Sequence, residues 1–269
     1  VCVKNITKHQ KEFDYYKIRN KYSDITKALN DDKFNCVFVF LPWDIIEKKM
    51  EIIIKNTKKK IYVEKPVALS YKKINHLCNL SKLHNRKVYV LLNRRFFNNT
   101  KILKSILKKE KISKFNIPIT EDIITNKKIH GKKIIKYLKY HRIIHWYDFF
   151  INALNLKLKK FNFQKKNFYT INYNKEKKIT LEYYSKKNIG AKITTKNKIL
   201  KFDKLENLTI YRKNSNKKIK RYNELSNNNF KPGILNLLKK IINKDKIDQD
   251  LPDLFKIKKI YNILKFLPY

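Results

Sequence analysis

Ile61-Tyr-Val-Glu64-Lys65-Pro66-Val-Ala-Leu-Ser70 decides how this chain is read. The apolar, β-branched and aromatic start is the composition of a strand, and it predicts one over Lys60–Val63. Pro66 has no amide hydrogen to give to a ladder, so the strand stops there. Ser70 is placed to accept hydrogen bonds from the first amides of a helix. Tyr71–Leu83 then repeats apolar residues at helical spacing, with Ile74, Leu77, Cys78 and Ser81 on the inner face. A strand, a short turn and a capped helix put Lys65 at the carboxyl end of a strand, where open α/β sheets bind their ligands.

Outward from this unit, strand and helix alternate over the first ninety residues. Val1–Ile6 reads as a short strand, Lys8–Tyr16 as a helix, and Asp24–Asn30 as a short helix capped by Ser23. Asn35–Leu41 is a continuous apolar run, the mark of a strand buried on both faces. Asp44 is placed to cap a helix through Lys55, with Ile45, Ile46, Met50, Ile53 and Ile54 on one side. Lys87–Leu92 is another buried strand. Consecutive βα units imply a parallel sheet with right-handed crossovers.

From Asn98 the pattern changes. A helix (Lys101–Lys109) and a strand (Ile112–Ile119) are followed by a long helix, Ile134–Leu154. Six alternating, aromatic-rich strands come next, over Lys159–Gln164, Phe168–Tyr173, Ile179–Tyr184, Ala191–Thr195, Ile199–Phe202 and Leu208–Tyr211. Helices Ile234–Asn243 and Asp253–Phe266 close the chain. The expected fold class is α/β: a truncated Rossmann-like parallel-sheet domain over residues 1–97, then an α+β domain with a large mixed or antiparallel sheet over 98–269.

The net charge of +43 in 269 residues invites a nucleic-acid reading. Only seven of the 65 basic residues are Arg, however, and the Lys residues are spread along the whole chain. Abundant Lys, Asn and Ile with three Gly is what an AT-rich genome encodes. No helix-turn-helix, zinc or RNA-binding motif accompanies the charge, so a solvated surface is expected and no specific nucleic-acid partner. Cys2, Cys36 and Cys78 lie in apolar patterns without metal spacing. Reduced, buried thiols in a cytoplasmic protein are expected, with no metal and no membrane span.

Three further segments stand at informative separations from Glu64-Lys65-Pro66. The strand over Asn35–Leu41 runs into Leu41-Pro42, the strand over Lys87–Leu92 runs into Asn93-Arg94-Arg95-Phe96, and Phe230-Lys-Pro-Gly233 precedes an apolar helix. Together they resemble the glucose–fructose oxidoreductase / inositol dehydrogenase / rhizopine-catabolism (Gfo/Idh/MocA) family over essentially the whole chain. That family has Glu-Lys-Pro, Thr-Pro beside the nicotinamide, and Asn-x-Arg-Phe at the corresponding places.

The resemblance implies an NAD(P)-dependent oxidoreductase of a sugar or nucleotide sugar, possibly serving surface polysaccharide biosynthesis, with NAD or NADP as cofactor. It implies cofactor contacts at Asn5, Leu41, Pro42, Glu64, Lys65, Pro66 and Asn93. Substrate contacts fall on Lys65, Arg94, Arg95, His145 and Asp148. The segment His141-Arg-Ile-Ile-His145-Trp-Tyr-Asp148 resembles the family's Asp-x-x-x-His helix. His145 stands at the general acid/base position, Lys65 at the position that steadies the reacting oxygen, and His141 where the family has Asp. A His suits proton transfer because its ordinary pKa of about 6.5 lies near neutrality. A homo-oligomer formed through the C-terminal sheet is also implied.

Two departures bear on activity. The three glycines are Gly131, Gly190 and Gly233, so the family's glycine-rich cofactor loop has no counterpart in this sequence, and Ile46 stands where the family often has His. The alternatives are therefore an inactive or degraded family remnant that binds no cofactor, and a Lys-rich nucleic-acid-binding protein.

Overall fold

The structure is a computed structural model that describes residues 1–184, 190–204, 206–224, 231–243 and 250–268. It divides into two compact units, Val1–Leu91 with Asp253–Lys258, and Leu92–Pro252 with Lys259–Tyr269.

The first unit is built on a parallel sheet of β1 (Cys36–Val39), β2 (Lys60–Glu64) and β3 (Val88–Leu91), in that order. The register sets Phe38 against Tyr62 and Tyr62 against Tyr89. The three rings therefore stack along one face, with centroids 5.2 and 5.5 Å apart. Helix α3 (Ile46–Asn56) buries Ile46, Met50, Ile53 and Ile54, a spacing that makes one helical stripe. Helix α4 (Tyr71–Leu83) begins as its sequence predicts: the Ser70 side chain accepts from the Lys73 amide at 3.2 Å.

Elsewhere in this unit the structure corrects the expectations. Val1–Ile6 is not a strand; Cys2 makes a single parallel bridge with Tyr22, and its thiol is exposed. The short helix Ile25–Leu29 is capped by Asp24, which accepts from the Lys27 amide at 2.8 Å, and not by Ser23. No side chain caps α3; the Pro42 carbonyl accepts from the Ile45 and Ile46 amides instead of the Asp44 carboxylate. Strand β1 ends at Val39 and is buried only there, because among the described strands it lies at the sheet edge.

The second unit carries an eight-stranded sheet in the order β11-β10-β9-β8-β4-β7-β6-β5. Strand β4 (Ile112–Glu121) is central. It pairs parallel with β7 (Lys177–Tyr183) and antiparallel with β8 (Gly190–Thr195), which makes the sheet mixed. The remaining strands are β5 (Asn162–Lys165), β6 (Phe168–Asn174), β9 (Lys198–Asp203), β10 (Asn207–Arg212) and β11 (Lys218–Asn223). Strand β11 was not expected from the sequence: its Lys-rich, exposed residues lack the apolar alternation that marks a half-buried strand. One face is apolar, with Phe115, Ile117, Ile119, Ile179, Leu181 and Ile193 all buried. Helix α7 (Ile144–Ala153) belongs to the same core, Phe149 meeting Phe97 and Phe202 at ring distances of 6.4 and 6.0 Å.

The single helix expected over Ile134–Leu154 is three pieces. Lys132–Tyr137 is a 3₁₀ turn, Lys139–Ile143 is π-helical, and α7 follows at Ile144. A π turn inside a helix is a rare, locally widened step that often marks a functional site. A further helix, α6 (Ile123–His130), precedes them; its Asp122 cap accepts from the Thr125 amide at 3.0 Å. The closing helices are α8 (Ile234–Ile242) and α9 (Leu254–Leu264). Phe230 of the expected Phe-Lys-Pro-Gly entry to α8 lies outside the described residues. Gly233 is required there: its φ is +78°, and a Cβ would stand 2.4 Å from the Asn93 carbonyl oxygen.

Candidate functional site

The first unit presents its candidate residues at strand ends. Glu64 is the last residue of β2 and, like Lys65, is half-buried, while Pro66 is buried and the Lys65–Pro66 peptide is cis. Leu41 and Pro42 follow β1, with Leu41 half-buried and Pro42 exposed. Asn5 is exposed and its side chain accepts from the Lys8 amide at 3.0 Å, so it closes a local turn. Burial raises the Cys78 thiol to about 11, consistent with a thiol that serves packing rather than chemistry.

The second unit gathers the other candidates around α7 and the 3₁₀ turn Asn93–Phe96. Asn93 donates its side-chain amide to the Pro232 carbonyl at 2.9 Å. Arg95 and Asp148 are brought together. The Arg95 Nε donates to Asp148 Oδ2 at 2.8 Å, its Nη2 pairs with the other carboxylate oxygen, and Nη1 donates to the Asp250 carbonyl at 3.0 Å. Both side chains are largely buried, so this is a fork-to-fork pair with its donors and acceptors matched. Asp148 thereby fixes α7 against the Asn93–Phe96 turn, three residues along the helix from His145.

Arg94 takes a different environment from its neighbour. Its guanidinium carbon lies 3.7 Å from the centre of the Trp146 ring. Its Nη1 is buried and makes no hydrogen bond with the described residues. Burial pushes the guanidinium down to about 10, with Glu206 acting against that shift.

Residues not singled out from the sequence complete the group. Glu121, the last residue of β4, is fully buried. Its Oε1 lies 2.9 Å from the Arg142 Nε and accepts from the Asn126 amide at 2.8 Å. Arg142 Nη1 donates in turn to Asn126 Oδ1 at 3.0 Å. The triangle anchors the π turn, on which His141 and Arg142 are consecutive, to the end of β4. Burial raises the Glu121 carboxyl above its ordinary value, and Arg142 opposes it. The available signal was a Glu closing an apolar strand and an Arg between two His; neither names its partner. His141 and His145 are both half-buried. Among the described residues, no group of three His, Cys, Asp or Glu side chains is placed to hold a metal ion. No helix among them is long and apolar enough to cross a membrane.

Comparison with known proteins agrees with this architecture. Residues 1–92 match the Gfo/Idh/MocA family model, described as an oxidoreductase family with an NAD-binding Rossmann fold. No curated protein matches the chain. Among solved structures, a super-repressor mutant of Gal80p from Saccharomyces cerevisiae superposes with a TM-score of 0.76 at 13% identity, covering 98% of this chain and 85% of that one. An oxidoreductase from Agrobacterium radiobacter, in complex with NAD+, L-tartaric acid and magnesium, gives 0.70 at 12% identity over 98% and 85%. A Gfo/Idh/MocA oxidoreductase from Vibrio cholerae gives 0.69 at 13% identity over 98% and 86%. A parallel βα unit running into a large mixed sheet is what these structures share with the chain. Residues 1–92 match the NAD-binding Rossmann model of the Gfo/Idh/MocA oxidoreductase family, and the chain as a whole has the two-domain fold seen in that family's solved structures.

Proposed function

We propose that the chain is an NAD(P)-dependent oxidoreductase acting on the hydroxyl or keto group of a sugar or nucleotide sugar. The observation that carries this reading is His145 on α7, held by the buried Arg95–Asp148 pair, in a chain whose first 92 residues match an NAD-binding family. NAD or NADP, when bound, supplies the hydride acceptor or donor. Leu41, Pro42, Glu64, Lys65 and Pro66 stand at the carboxyl ends of parallel strands, which suits the nicotinamide side of such a cofactor. No glycine precedes Gly131, so the chain's own residues do not fit the pyrophosphate in the same way.

In this mechanism His145 takes the proton of the substrate hydroxyl on oxidation and returns it on reduction. The Lys65 ammonium stabilises negative charge on the reacting oxygen. Asp148 and Arg95 are positioning residues for α7. His141, in place of the family's Asp, gives the helix a second imidazole where a carboxylate is usual, and that favours a second reading: a non-catalytic family member. A role in surface polysaccharide synthesis, and assembly into a homo-oligomer through the eight-stranded sheet, belong to the same proposal.

The test is a nicotinamide absorbance assay of the full chain against a panel of sugars and nucleotide sugars, with cofactor above about 1 mM. Turnover that falls about 10²- to 10⁴-fold in His145→Ala is expected. Absence of turnover across the panel, or turnover unchanged in that variant, overturns the reading in favour of the non-catalytic one.

A further inference from the structure

Arg94 and Arg95 are adjacent, and their guanidinium groups are satisfied in opposite ways. Arg95 spends its donors on Asp148 and the Asp250 carbonyl. The Arg94 side chain makes no hydrogen bond and no ion pair with the described residues, although its Nη1 is buried. None of the described acids pairs with it. Glu121 is engaged by Arg142 and Asn126, and Asp148 by Arg95. Glu206 and, more weakly, Glu121 act on Arg94 through their charge without pairing with it, and Arg142 opposes them. What holds Arg94 is the face of Trp146. A guanidinium lying on an aromatic ring keeps its donors in its own plane, directed away from the ring and available to a planar or tetrahedral oxyanion. A partly buried cation with no direct ion pair is costly, so a site built this way gains when a paired charge arrives with a ligand.

We propose that Arg94 binds an acidic group, a carboxylate or a phosphate, of the molecule that is handled beside His145, so that the substrate is a charged sugar and not a neutral one. The position follows from the fold: Arg94 lies on the turn Asn93–Phe96, to which Asp148 fixes the helix that carries His145 and Trp146. This rests on the oxidoreductase reading above and narrows its substrate class. A neutral hydroxyl would occupy a donor but leave the charge uncompensated, whereas an oxyanion does both.

Trp146 also supplies the readout. Trp43 and Trp146 are the chain's two tryptophans, so a Trp43→Phe background leaves the emission of Trp146 alone. Glucuronate, glucose 6-phosphate and glucose are titrated separately into that protein. Saturable change in emission with glucuronate or with the phosphate, and none with glucose, is expected; whichever anion saturates at the lower concentration identifies the group. Arg94→Gln should weaken that binding at least about tenfold, the ratio that 1.4 kcal/mol represents. Arg94→Lys, which keeps the charge and loses the fork, should fall between. Circular dichroism of each variant checks that it is folded, and the Lys variant carries the test if the Gln variant is not. Equal response to glucose, binding unchanged in both variants, or no saturation by either anion overturns the proposal; the last outcome leaves an ordered water as the partner of Nη1. The titration needs neither cofactor nor turnover. Anion binding without activity would leave Arg94 standing and remove the oxidoreductase reading, and turnover of neutral sugars alone would do the reverse.

Discussion

The two units bury different kinds of side chain. Among the described residues of the first, the buried polar side chains are Thr57 and Ser81, and the rest of the interior is aliphatic, aromatic or sulfur-bearing. The second buries Glu121, Asp148 and Glu224 together with Asn99 and Asn126. A dry interior loses transfer and cavity energy when it is altered, in proportion to what is removed. An interior that contains matched charges fails differently: taking one member leaves the other buried and alone. The first unit therefore offers its polar groups at strand ends, on a rigid parallel ladder. The second holds its candidate chemistry in place from within.

That contrast can be broken most directly at Asp148. Replacing Asp148 with Ala leaves the Arg95 guanidinium buried without its carboxylate, and a loss of about 3–5 kcal/mol is expected in urea denaturation. The double change Arg95→Met with Asp148→Leu should recover most of it. If the single variant costs under about 1 kcal/mol, the pair is not a buried matched charge and the contrast collapses.

A second, smaller effect is a pH dependence seated in the second unit. The Glu121 carboxyl is raised in the fold by burial. The folded chain therefore binds the Glu121 proton at a higher pH than the unfolded chain does. The sign follows: the stability this group contributes is fully present below its unfolded value of about 4.3 and is lost as pH rises through its raised folded value. Glu121→Gln should flatten that part of the stability–pH curve, measured by thermal melts from acid to neutral pH. A curve with the same slope in both proteins would remove Glu121 from the account.

The smallest effect belongs to the first unit. Ser70→Ala deletes the cap on the Lys73 amide and should cost about 1 kcal/mol, with no change in pH dependence. A loss several times larger, or one that varies with pH, would mean that the first unit has its own buried polar network.

Much of the fold was legible in the chain because it depends on neighbours in sequence. The parallel unit around Lys65 follows from an apolar run, a proline and a serine within ten residues, and the structure keeps each of them in the expected role. The strands of the second sheet other than β11 were legible for the same reason, as alternation within six or seven residues. The misses have a common cause. Asp44 and Ser23 are good capping residues by type, yet the Pro42 carbonyl and Asp24 fill those places, because capping depends on backbone geometry that composition does not carry. The broken helix before Ile144 was invisible since helical periodicity continues across it. The π turn coincides with the Arg142–Glu121 ion pair, which spans 21 residues of sequence.

The sequence by itself determined where most strands and helices form, that a parallel sheet comes first and a second, mixed or antiparallel sheet follows, and which residue types are available for proton transfer and charge stabilisation. These are consequences of local periodicity and of side-chain chemistry. Only the tertiary structure decided that Arg95 closes on Asp148 while Arg94 lies on Trp146, and that Glu121 and Asn126 hold Arg142. Adjacent arginines are equivalent in a sequence. They become different when the fold brings a carboxylate from 53 residues away to one of them and an aromatic ring to the other.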